Sequence, residues 1–154
     1  MELPYLSQLR AFNQIVKEMD DQYHNYAKSC GLSDSALWVL YSLWENGKIS
    51  SQRELCAEWF YSPQTVNSAL KTLEKQGFVT LEPSPGGGRN KQILFTNAGK
   101  DLVEKIIPPL MEAEMGALAD LGDQGREELL SLTQKYVALM RANLKRISDH
   151  SSED

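Results

Sequence analysis

Two histidines and two cysteines are all that 154 residues supply of the side chains most used for metal binding and nucleophilic chemistry. Cys30 and Cys56 form no CxxC pair, and two such thiols give no disulfide framework. His24 and His150 belong to no HExxH run, and the chain has neither Gly-x-Ser-x-Gly nor a phosphate loop. Nucleophilic, phosphoryl-transfer and zinc-hydrolase chemistries therefore lack their parts, and no catalytic residue, cofactor or metal site is expected. No run approaches the ~18 apolar residues of a membrane span. The start, MELPYLSQLR, lacks the basic region and apolar core of a secretory signal, so the expectation is a cytoplasmic protein with no membrane partner. Internal repeats and low-complexity linkers are also missing.

Acidic residues outnumber basic ones, 21 to 16, for a net charge of -5. The excess is unevenly spread. Between Lys48 and Lys100 stand seven Lys or Arg and four Glu, a net of +3; the remainder has nine basic and seventeen acidic residues, a net of -8. A basic island in an acidic chain is the footprint of one module that meets a polyanion while the rest repels non-specific contact.

The 42% hydrophobic fraction is enough for one domain with a core. Leu9, Phe12, Val16, Met19, Tyr23 and Tyr26 recur at steps of three and four, an apolar stripe on a long helix that should end near Gly31. Ser33 then caps a second helix carrying Leu37, Leu40, Tyr41 and Trp44, which Asn46-Gly47 stops. Ser51-Gln52-Arg53-Glu54 has the Ser-x-x-Glu form of a capping box, with Leu55, Cys56 and Trp59 on the buried side of the third helix. Eleven residues after Ser51, Ser62-Pro63 starts a fourth helix that runs to about Gln76, with Val66, Ala69, Leu70 and Leu73 inward and Gly77 as its C-terminal cap. Phe78 to Glu82 and Gln92 to Thr96 are antiparallel strands around the turn SPGGGRNKQ. Thr96-Asn97 starts a helix that Pro108-Pro109 must kink or break. A last helix spans about Asp123 to Ile147 with Leu129, Leu132, Tyr136, Met140, Leu144 and Ile147 as its stripe, and SDHSSED is a frayed tail.

The outer face of the helix from Pro63 is Gln64, Thr65, Asn67, Ser68, Lys71 and Thr72, with no carboxylate in its N-terminal half. Solvated helices mix Glu with Lys and favour acids in the first turn, so the absence fits a negative partner, and short amides and hydroxyls are the groups that read base edges in a major groove. Taken alone, the face is also what a polar surface helix shows. Three glycines followed by Arg89, Asn90 and Lys91 would carry two cations toward a minor groove or phosphates; taken alone, they are also an ordinary charged turn. Their order is more specific: three helices, then a basic hairpin, is a mainly α winged helix-turn-helix. Ser51, Arg53 and Ser62 join the DNA-facing set by position. Both chain ends carry apolar stripes that a lone winged domain of ~65 residues leaves uncovered, which points to a homodimer.

The run SSQRELCAEWFYSPQTVNSALKTLEKQGFVTLEPSPGGGRNKQILFTNAGKDLV resembles the core of the multiple-antibiotic-resistance regulator (MarR) family, in Leu55-Cys56-Ala57, in Ser62 to Leu73, in Leu73-Glu74-Lys75-Gln76-Gly77 and in Phe95-Thr96-x-x-Gly99. The resemblance covers about a third of the chain in motif and nearly all of it in helix order. It implies a bacterial transcriptional regulator, acting as a repressor in the family's manner, whose first, fifth and sixth helices intertwine in a homodimer on a palindromic double-stranded DNA operator, released by an effector. On that pattern, residues 1–147 form one domain, with a DNA-reading part at about 33–99 and dimerisation helices at about 5–30 and 98–147. Where many members place an acidic residue before the wing arginines, this chain has Gly87-Gly88 before Arg89. The expectation is a wing not held in place before DNA arrives.

Tyr23, Tyr26, Trp38, Tyr41 and Trp44 crowd the region between the dimer helices and the DNA-reading part, with Cys30 beside them. Relatives bind aromatic acids in such a crevice and keep redox-sensing or zinc-binding cysteines near that place, so Tyr23, Tyr26, Cys30, Trp38 and Tyr41 are the candidate effector pocket. The residues themselves are equally core aromatics and a small buried thiol. A zinc-responsive regulator is the alternative within the fold, although His24 and Cys30 fall short of the usual three or four ligands. A DNA-free interaction protein on the same scaffold is the other, and the +3 segment argues against it.

Overall fold

In the computed structural model, which describes residues 3–46, 50–59, 61–83 and 91–150, helix α1 (Leu6–Ser29) ends by a tight motif. Gly31 takes φ +72°, its N–H bonds to the Lys28 carbonyl and the Leu32 N–H to the Ala27 carbonyl. That pattern satisfies two carbonyls of the last turn and requires a residue tolerant of the left-handed region. Ser33 Oγ accepts the Ala36 N–H at 3.2 Å and starts α2 (Asp34–Asn46), whose Ala36, Leu37, Val39, Leu40 and Leu43 are buried.

The capping box forms as the spacing predicts. The Ser51 N–H donates to Glu54 Oε2 at 2.6 Å and the Glu54 N–H to Ser51 Oγ at 3.3 Å, at the head of α3 (Gln52–Trp59). One expectation there is corrected. Leu55 is buried, but Cys56 is half-buried and not core. Successive helical residues turn by roughly 100°, so an eight-residue helix that points Leu55 inward leaves its neighbour at the rim.

Ser62 caps α4 (Pro63–Lys75), with Pro63 in the first turn and Val66, Ala69, Leu70 and Leu73 buried. The closing motif of α1 recurs at its end: Gly77 has φ +79°, and Gly77 and Phe78 donate to the carbonyls of Glu74 and Leu73. Strands β2 (Val79–Pro83) and β3 (Lys91–Phe95) pair antiparallel in the register Val79↔Phe95, Leu81↔Ile93 and Pro83↔Lys91. A third strand, β1 (Ser50–Ser51), pairs with β3 on its other side, Ser50 opposite Ile93, and gives the order β1-β3-β2. Two residues are too short to carry a periodic signal in the sequence.

Helix α5 (Asn97–Asp120) passes through Pro108-Pro109 without a break, so of the kink or break expected there the break does not occur. Each proline removes one helical bond, at roughly 3 kcal/mol. Val103, Ile106, Ile107 and Leu110 on either side are buried, and at roughly 1.5 to 3 kcal/mol per large apolar side chain they offset that loss. The chain divides into two compact units between these prolines, Met1–Pro108 and Pro109–Asp154. The first holds the winged helix-turn-helix around Leu37, Leu40, Leu55, Val66, Leu70, Leu73, Val79 and Ile93. The second holds the end of α5 and α6 (Gly122–His150), which runs three residues past Ile147. No described helix is long and apolar enough to cross a membrane.

Candidate nucleic-acid interface

Helix α4 owes its position to its inward side chains, which leave Gln64, Ser68, Lys71 and Thr72 exposed and Thr65 and Asn67 half-buried on the opposite face. The first turn carries no acid. Ser62 Oγ accepts the Thr65 N–H at 3.2 Å and lies 2.8 Å from Thr65 Oγ1, so these two hydroxyls are partly engaged in holding the helix start. Thr72 turns its hydroxyl back to the Ser68 carbonyl at 3.1 Å. Among the described residues, Gln64, Asn67, Lys71 and Arg53 have no hydrogen bond or ion pair. Ser68, Lys71, Thr72, Lys75 and Gln76 line a shallow depression of about 550 Å³ on the solvent side of α4. Lys75 was not singled out by the sequence, although its spacing of four from Lys71 places both on one face.

Gln52 is a second residue that sequence reasoning passed over. Its Nε2 donates to the Pro63 carbonyl at 2.9 Å and joins the start of α3 to the start of α4. No local pattern marks an amide for a bond eleven residues away. Ser51 is occupied by the capping box, and its backbone N–H first and its hydroxyl second draw the Glu54 carboxyl below its ordinary pKa. Lys91 opens β3 and is exposed. Arg89 and Asn90 lie outside the described residues, as do Gly87 and Gly88.

The candidate effector residues fall into two groups. Tyr23 and Trp38 meet at 4.8 Å between ring centroids, tilted by 57°, and Trp38 and Tyr41 at 5.5 Å, tilted by 54°. The Tyr26 hydroxyl donates to the Ile106 carbonyl at 2.6 Å and so ties α1 to α5. Burial, and then the Cys30 sulfur beside it, push the Tyr26 phenol above its ordinary pKa. His24 does not turn to Cys30 but pairs with Asp34, at 2.9 Å between Nδ1 and Oδ1. Among the described residues no three His, Cys, Asp or Glu gather as a metal site, so the zinc-responsive alternative finds no ligand set there.

Three helices packed through α4, a hairpin at its exit and a polar α4 face define a winged helix-turn-helix protein. Residues 31–90 match the sequence model of the MarR family. The transcriptional regulator SarZ of Staphylococcus epidermidis is 32% identical over 104 residues, 66% of this chain and 70% of that protein. SarZ of Staphylococcus saprophyticus is 33% identical over 90 residues, 58% of this chain and 61% of that one. The chain belongs to the MarR family of transcriptional regulators, a family of regulators and not of enzymes. In fold it is similar to a MarR family regulator from Neisseria meningitidis (TM-score 0.75, 20% identity, covering 90% of this chain and 97% of that one). It is also similar to Staphylococcus aureus MepR in a DNA complex (TM-score 0.72, 18% identity, covering 91% and 99%).

Proposed function

We propose that this chain is a repressor that binds a pseudo-palindromic double-stranded operator as a homodimer in the cytoplasm and leaves it when a small aromatic molecule or a redox signal arrives. The observation that carries the reading is the face of α4, polar, free of acid in its first turn and bordered by Lys71 and Lys75. Helix α4 enters the major groove, where Gln64, Thr65, Asn67 and Ser68 read base edges, because short amides and hydroxyls form directional bonds there. Ser51, Arg53, Ser62 and Lys71 meet phosphates, and Arg89, Asn90 and Lys91 reach the adjoining minor groove, where Arg is drawn by concentrated negative potential. Two-fold symmetry places the half-sites about 34 Å apart. The fold shared with MepR, which was solved on DNA, supports the partner. The aromatic contacts of Tyr23, Trp38 and Tyr41, and Cys30 beside Tyr26, are the place for the releasing signal, between α1 and the helices it touches.

Selection of bound fragments from random duplexes, followed by titration against the selected and a scrambled sequence, tests this. Asn67→Ala should weaken the selected duplex by about 1 to 3 kcal/mol and the scrambled one much less. Equal losses on both would remove base reading from α4.

A further inference from the structure

Thr96 stands between β3 and α5 and is bonded to three parts of the fold. Its Oγ1 donates to the Gly77 carbonyl at 2.6 Å and accepts the Gly99 N–H at 3.0 Å. Its own N–H donates to the Phe78 carbonyl at 3.1 Å. Gly77 and Phe78 are the two residues that close α4, so a single hydroxyl joins the end of α4, the end of β3 and the first turn of α5. The approach is close on every side. A Cβ on Gly99 would lie 1.9 Å from the Phe78 oxygen, the same atom that accepts the Thr96 N–H. The other end of α4 is held separately, by Gln52 on the Pro63 carbonyl.

We propose that Thr96 is a positioning residue for DNA recognition: its hydroxyl fastens the C-terminal end of α4 to the root of the β2–β3 hairpin, so that helix and hairpin meet DNA at one fixed separation. The proposal rests on the DNA-binding reading above. A hydroxyl is needed because the site asks for a donor toward Gly77 and an acceptor toward Gly99 at once, and Ser or Thr supplies both. A carboxylate supplies only the acceptor. Thr96→Asp therefore keeps a good cap for α5 while losing the bond to Gly77, and Thr96→Ser keeps both.

Amide hydrogen exchange without DNA and titrations on selected and scrambled duplexes together test the proposal. Thr96→Ser should match the unaltered protein in both. In Thr96→Asp the Gly77 and Phe78 amides should exchange about tenfold faster while the first turn of α5 stays protected. The preference for the selected over the scrambled duplex should fall about tenfold; the added charge weakens both alike, so the ratio carries the result. Unchanged exchange in Thr96→Asp would make Thr96 only the cap of α5 and overturn the proposal. Faster exchange with an unmoved ratio would overturn it as well. If the unaltered protein preferred no duplex, the DNA-binding reading would fail first, and exchange would still report whether the hydroxyl fastens α4. Should Thr96→Asp not fold, exchange in the unaltered protein decides: the Phe78, Thr96 and Gly99 amides should open together as urea is raised, and unrelated openings would overturn the proposal.

Discussion

At Gly99 the constraint is steric and local. Any side chain there meets the Phe78 carbonyl at 1.9 Å, a backbone atom that cannot rotate away. Gly99→Ala should therefore destabilise the protein by at least about 2 kcal/mol, the scale of an overpacked site, as measured by urea unfolding. A loss below half of that would mean the α5 start shifts freely. Arg89 is a different kind of residue, a guanidinium following three glycines in the sequence. On the function proposed above its gain is that of a cation in the field around phosphates, so Arg89→Ala should weaken all duplexes and lower the slope of log affinity against log salt by about one unit. An unchanged slope would remove Arg89 from the phosphate contacts.

Among the elements, α3 shows how a short helix depends on its first turn. Its eight residues are well below the length that is stable by itself, and the Ser51–Glu54 box satisfies donors that would otherwise be open. Ser51→Ala should cost about 1 kcal/mol. The Glu54 carboxyl is lowered first by the Ser51 backbone bond and then by its hydroxyl. Its contribution is accordingly full above the ordinary glutamate range and lost as pH falls through the lowered folded value. Carboxyl NMR should find Glu54 titrating below the ordinary glutamate value, and Glu54→Gln should keep the box while removing that pH dependence. An ordinary titration for Glu54 would contradict the box. This element, like α4, was legible because caps and inward apolar positions are written within a few neighbouring residues. Strand β1, the Gln52 bond to Pro63 and the Thr96 bond to Gly77 were not, because they join residues whose proximity is a product of folding. That α5 does not break at its two prolines was not legible for a related reason: burial of Ile106 and Ile107 is a tertiary fact that local rules do not carry.

The whole molecule carries a surplus of uncovered apolar surface. Leu9, Phe12, Ile15 and Met19 on α1 are each 40% or more exposed, and so are Leu129, Leu132, Met140, Leu144 and Ile147 on α6. Monomeric proteins seldom leave such continuous stripes in water. Sedimentation at micromolar concentration should find a dimer, and Leu132→Glu with Leu144→Glu should yield a monomer that keeps its helix content by circular dichroism. A stable monomer of the unaltered chain would contradict the homodimer. The outer helices were legible as amphipathic segments, whereas what a partner would add to their exposed stripes is not written in one chain.

The register of the small sheet has a consequence for how this protein can change over generations. Between Pro83 and Lys91, which face each other across β2 and β3, seven residues connect the strands. Length can vary there without altering any strand pair. One residue added within β3 would instead turn Ile93 from the core to solvent and shift Ser50 and Ser51 from their partners, because side chains alternate along a strand. Descendants of this sequence are thus free to lengthen or shorten the connection between the strands while the frame that carries it stays the same.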